Sequence, residues 1–213
     1  MQNNKKPVLE QVSGLRDWIG QSVDREEMLE YKLFQEETLN GMDGTRAEFH
    51  SVCFIRCRFE DCDFTKGSFL NSEFQNCDFS NCRFTDSYWK ESCISGCKAQ
   101  GSDFQHVIFR GMKLNDTKFD YGNFHQVLFE NTTIEQCTFD SASFAEAKWK
   151  KVRLHGNRFE HTDFFRTSLK GLDFSECEFH APLLSEDFKE LRGARFSVNQ
   201  AAELAGLLGI TIV

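Results

Sequence analysis

The chain has 213 residues, 33 of them acidic and 25 basic, for a formal charge of −8. That length allows one domain with at most a small appendage, and the acidic balance excludes a generic basic nucleic-acid binder. No apolar run is long enough to span a membrane, and the opening residues 1–7 lack the apolar stretch of a signal peptide, so a cytoplasmic, soluble protein is expected. Phe is the anomaly, with 23 copies against 3 Tyr, 3 Trp and 2 Pro.

Residues 1–46 read as a partly helical N-terminal cap. The pattern predicts a helix over Val8–Ile19 and a second from about Asp24 to Leu33, opened by Ser22. Leu29, Phe34 and Leu39 share the phase of the segment that follows, but Gly44 leaves its slot empty, so an imperfect coil is expected there.

From Phe49 to Leu184 a largely aromatic or aliphatic residue recurs at every fifth position, 28 times without a slip, and 19 of these centres are Phe. The others are Trp89, Trp149, Ile94, Ile134, Leu114, Leu154, Leu169, Leu184 and Ala99. Two residues before each centre stands Ala, Val, Cys, Gly, Ser or Thr, except at Met112, Asn157, Leu172 and Pro182. A five-residue step turns ~140° on an α-helix and would spiral the Phe residues around the surface. On a straight strand it would send them to alternate faces. Within a unit, however, the small residue and the centre lie two apart, on one face of an extended segment. The chain must therefore turn once per unit, giving a solenoid with a Phe-filled interior. Residues 187–213 form its C-terminal cap. Ser185–Leu191 reads as a short helix, and Asn199–Leu208 as a second that stops near Gly209. The ending Ile210-Thr211-Ile212-Val213 is apolar and β-prone; it should cover the coil end, pair with a second chain, or do both.

Seven of the nine Cys (Cys57, Cys62, Cys77, Cys82, Cys97, Cys137 and Cys177) occupy the small inward position, where a reduced thiol packs beside Phe. No metal-ligand spacing, phosphate loop or nucleophile motif is present, so neither cofactor nor metal is called for and an enzyme is not expected.

The unit resembles the pentapeptide-repeat family, small–Asp/Asn–Leu/Phe–X–X, as in Cys62-Asp63-Phe64-Thr65-Lys66 and Cys77-Asp78-Phe79-Ser80-Asn81. The resemblance covers residues 47–186. It implies an all-β right-handed quadrilateral parallel β-helix, four units to a coil, with helical caps. Seven coils at about 4.8 Å make a rod roughly 34 Å tall. Residues sharing a number modulo 20 then stack. The third face gains an acidic ridge of Glu60, Asp61, Asp63, Asp103, Asp120, Asp140, Glu160 and Asp163, with Arg83 the one base in that segment. Half a coil away, a basic-leaning side carries Lys90, Arg110, Lys113, Lys150, Lys151, Arg153 and Lys170, diluted by Glu73, Glu91, Glu130 and Asp173. Tyr88, Ile108 and Leu128 form an outward apolar strip, a candidate contact site.

Two segments are similar to the quinolone-resistance (Qnr-type) branch of the family, which binds DNA gyrase and topoisomerase IV. One is Cys97-Lys98-Ala99-Gln100-Gly101-Ser102-Asp103-Phe104, with its unusual Ala centre. The other is Asn199–Ile210, similar to a dimerising C-terminal helix. The resemblance implies a DNA-mimic-type protein binder rather than a direct nucleic-acid or membrane binder. It also implies a tail-to-tail homodimer through Leu204, Leu207, Leu208, Ile210, Ile212 and Val213. Unlike many Qnr-type proteins, the chain has no loop interrupting residues 49–184. Residues 47–186 carry 21 acids and 16 bases, net −5. That is one charge per roughly 7 Å against about 1.7 Å in duplex DNA, so mimicry must reside in the ridge. A general protein-interaction scaffold is the alternative.

Overall fold

The computed structural model describes residues 8–207 and 209–212. The chain winds into a parallel β-solenoid of about nine coils. The turn demanded of each unit is made two residues after the centre. There the backbone enters the left-handed region, as at Asn71, Asn76, Asn81, Asp86 and Gly96, with φ between 49° and 65°. Asn, Asp and Gly adopt that conformation at least cost.

Two faces are continuous sheets. A seven-stranded sheet runs from Leu29–Glu30 to Lys148–Lys150, and an eight-stranded sheet from Glu10–Gln11 through Lys32–Gln35 to Arg153–His155. Strands pair with strands 20 residues on, as in Trp89↔Phe109 and Ile94↔Leu114. The third and fourth faces are held mainly by single bridges, such as Asp78↔Lys98 and Arg83↔Asp103.

Inside, the centres stack in columns. Phe84, Phe104 and Phe124 lie 5.1 and 4.9 Å apart with planes tilted by 5° and 10°, and Phe119 stacks on Phe139 at 5.2 Å. The small inward residues satisfy backbone groups that the corners expose. Ser102 Oγ donates to the Phe79 carbonyl at 2.7 Å, and Thr162 Oγ1 to Phe139 at 2.8 Å. The Cys77 N–H reaches Cys97 Sγ at 3.3 Å. This explains why Ser, Thr and Cys recur there: each is small and can bond where apolar Ala cannot.

The solenoid begins earlier than the uninterrupted repeat. Leu29, Phe34 and Leu39 are buried and continue the columns, with Phe34 stacked 5.7 Å from Phe54. Gly44 keeps phase as well, because the Phe64 ring of the next coil fills its slot. A Cβ there would come within 2.7 Å of that ring.

The N-terminal helix is α1 (Leu15–Arg25), not Val8–Ile19, and it follows a short strand at Glu10–Gln11 that pairs with Lys32–Leu33. Strands occupy Leu29–Glu30 and Lys32–Gln35 where a second helix was expected. Leu15 and Ile19 of α1 are fully buried in the core. At the other end, Ser185–Leu191 contains only a single 3₁₀ turn, Lys189–Leu191. The coil continues to Phe196, stacked 5.5 Å from Phe174, before α2 (Val198–Leu207). Gln200 of α2 closes the last coil: its Nε2 donates to the carbonyls of Phe174 and Cys177 at 2.9 and 2.6 Å.

Candidate functional site

Because the interior is filled, the chemistry open to partners lies on the outward columns. Among the described residues, no group of three or more His, Cys, Asp or Glu is arranged to hold a metal ion.

Most carboxylates of the acidic ridge already have partners. Glu60 pairs with Arg58 at 2.7 Å, Asp63 with Arg83 at 2.8 Å, and Asp140 with Arg158, whose Nε lies 2.9 Å from Oδ1. Asp63, Asp103 and Asp163 accept the backbone N–H two residues on, from Thr65, Gln105 and Phe165, and so brace turns. Asp120 is only 7 % exposed and accepts the Asp140 N–H at 3.1 Å. Asp61 and Glu160 remain exposed.

Burial works to raise the Asp63 pKa, but hydrogen bonds from Thr65 and Arg83, with the Arg83 charge, outweigh it and leave the carboxyl below its ordinary value. Hydrogen bonding to Asp140, offset in part by desolvation, raises Arg158 above its ordinary value. The column just before the third-face centres, which the sequence reading passed over, is basic-leaning, with Arg58, Lys98, Lys118 and Arg158 interrupted by Asp78 and ending at Glu178. The same count modulo 20 reveals it. Acidic and basic columns therefore run side by side, and the longest uninterrupted acidic column is Asp120–Asp140–Glu160.

The apolar strip lies in register on the first face: Tyr88 pairs with Ile108 and Ile108 with Leu128. Ile108 is 36 % exposed and its two neighbours are half-buried. Of the residues expected at a dimer contact, Leu204 is buried against the core, while Leu207, Ile210 and Ile212 are exposed. Leu208 and Val213 lie outside the described residues.

Residues 47–124 match the family model described as a pentapeptide repeat region. Those residues of the solenoid are a pentapeptide-repeat region. Among solved structures, the chain is similar to two trypsin-treated forms of QnrB1, described as a plasmid-mediated fluoroquinolone resistance protein. One has 22 % identity and a TM-score of 0.52 over 85 % of this chain and 92 % of that one. The other has 22 % identity and a TM-score of 0.49 over 85 % and 90 %. No curated protein sequence matches the chain.

Proposed function

We propose that the protein is a non-enzymatic, cytoplasmic binding rod whose partner is a type II topoisomerase, gyrase or topoisomerase IV. The observation that carries this reading is the acidic column Asp120–Asp140–Glu160 in successive coils at about 4.8 Å, in which Glu160 is exposed, Asp140 is half-buried beside Arg158 and Asp120 lies buried beneath the Asp140 backbone. That spacing is about 1.4 times the ~3.4 Å axial rise between phosphates of one DNA strand, so a basic DNA-binding surface can accept the column only over a short stretch. The flanking Arg58, Lys98, Lys118 and Arg158 confine the mimicry to this column rather than to the whole rod. The similarity of Cys97–Phe104 to the Qnr-type branch, and the fluoroquinolone resistance described for QnrB1, favour a topoisomerase over other DNA-binding partners.

The test is binding of gyrase to immobilised protein at low and high salt, with Asp140→Lys/Glu160→Lys as the variant. Two charge reversals, at exposed Glu160 and half-buried Asp140, should weaken binding about tenfold or more, and raised salt should do the same. Equal affinity of the variant would overturn the acidic column as the contact.

A second reading is favoured by the in-register Tyr88–Ile108–Leu128 strip, which suits an apolar contact in a general interaction scaffold.

A further inference from the structure

From Ala47 to Pro182 every inward-facing position is buried except three: Trp149, Val152 and Leu154. All three belong to the coil at which both main sheets stop. Lys148–Lys150 and Arg153–His155 are the terminal strands of the seven- and eight-stranded sheets, each paired only with the preceding coil. Yet the chain makes a further coil through 168–175. The third and fourth faces stay closed across this level, through Arg158–Glu160 with Glu178–His180 and through Asp163↔Leu183. The solenoid is thus split on two faces and joined on the other two.

The split shows in individual bonds. In earlier coils the N–H groups of Glu91, Gly111 and Asn131 donate to carbonyls 19 residues on, at 2.8–2.9 Å. Among the described residues, the next in that series, Lys151, makes no such bond to Lys170. Residues 169–174 bond onward instead, to Glu190, Gly193 and Arg195. Leu172 stands in the inward slot directly over Val152, in the column of Val52, Ser72, Ser92, Met112 and Thr132.

The rim of the split is basic. Lys148, Lys150, Lys151 and Arg153 are all exposed, and none pairs with an acid among the described residues. Nearby carboxylates are committed elsewhere: Glu130 to Arg110, Glu146 to Arg166, Asp173 to Arg195 and Glu176 to His155. At the corner where the split opens, a groove of about 830 Å³ is lined in part by Glu146, Ala147, Lys148, Arg166 and Ser168.

We infer that this split is a docking site for an acidic, extended polypeptide segment of another protein, which adds a strand to the open edges. Backbone N–H and C=O groups along a terminal strand fit a chain that brings its own. Trp149, Val152 and Leu154 provide an apolar floor for alternate side chains, and the rim cations select acids between them. A second copy of this chain is disfavoured because its matching edge bears the same four cations. A nucleic acid satisfies the charge but offers no backbone to complete the ladder. The site lies away from the third-face column and does not depend on the topoisomerase reading.

The test uses the full chain with Trp18→Phe and Trp89→Phe, leaving Trp149 as the sole Trp reporter. The probe is a synthetic peptide alternating Glu with Val and Ile. Addition should shift Trp149 emission to the blue and saturate. Lys151→Glu/Arg153→Glu, which alters only exposed side chains, should weaken binding at least tenfold. A peptide N-methylated at alternate amides should not bind at the same concentrations. The inference is overturned if the peptide gives no shift at millimolar concentration or if the N-methylated peptide binds equally well. It is also overturned if oligodeoxythymidylate gives the same saturable shift, which would mark a polyanion surface.

Discussion

Asn157 offers a quantitative test of how the inward small positions hold the coils together. It is 1 % exposed, and its amide serves two backbone groups: Nδ2 donates to the Ile134 carbonyl at 2.8 Å, and Oδ1 accepts the Cys137 N–H at 2.9 Å. Asn157→Ala leaves both without a partner in a dry interior. At about 1–3 kcal/mol for each buried group, the loss is about 2–6 kcal/mol, a large share of a typical domain's stability. Asn157→Thr should be far milder. The equivalent residue on another face, Thr167, already accepts the Ala147 N–H at 2.9 Å and donates to Phe144 at 2.5 Å through one hydroxyl. Urea unfolding followed by circular dichroism and by Trp emission reads the difference. With an m-value of about 2–3 kcal/mol/M, Ala should lower the midpoint by about 1–3 M and Thr by less than about 0.5 M. Coincident transitions from the two probes would justify the two-state treatment. Equal midpoints for Ala and Thr would refute the reasoning, because burial without hydrogen bonding would then suffice.

Other consequences are open to simple assays. Eight of the nine cysteines are buried and Cys93 is half-buried, while burial pushes the Cys137 thiol up to about 12. Ellman's reagent at neutral pH should therefore modify at most one thiol rapidly, and all nine after unfolding; several fast thiols would contradict a filled interior. The Asp63 and Asp173 carboxyls are held below their ordinary value, so the stability they contribute is complete above about pH 4 and lost as the pH falls through the folded-state value. Thermal midpoints should fall from pH 5 to pH 3, and Asp63→Asn should flatten that slope. If the apolar strip is a contact, Ile108→Asp will abolish a salt-insensitive interaction in a pull-down and leave the thermal midpoint within about 2 °C, as its side chain faces outward.

The rod was legible because its signals are local and repeated. Each centre fixes an inward ring, and each Asn, Asp or Gly two residues later permits the left-handed turn, as at Asn76, Asn81 and Gly101. Gly44 misled because a residue lacking a side chain looks like a break, whereas in space the Phe64 ring supplies the missing volume. Residues 24–33 carry a helical pattern, yet Leu29 and Phe34 are worth more as the next layers of the aromatic stack than as a helix face. The surface was read only in part. Counting by 20 put Tyr88, Ile108 and Leu128 in register on one face. It could not show that Asp120 is buried, or that Asp63, Asp103 and Asp163 are spent on turns, since those roles depend on side-chain direction at the corners. The split above Val152 had no sign of its own in the sequence: Leu172 stands in a slot meant for a small residue, but so does Met112, in a coil whose strands pair on both sides.

Gyrase supercoiling measured with and without a fluoroquinolone, over protein from nanomolar to micromolar concentration, tests the proposed function most directly. The account predicts that supercoiling or its drug inhibition changes in a saturable way, and that Asp140→Lys/Glu160→Lys removes the change. Supercoiling unaltered by micromolar protein in both conditions would contradict it.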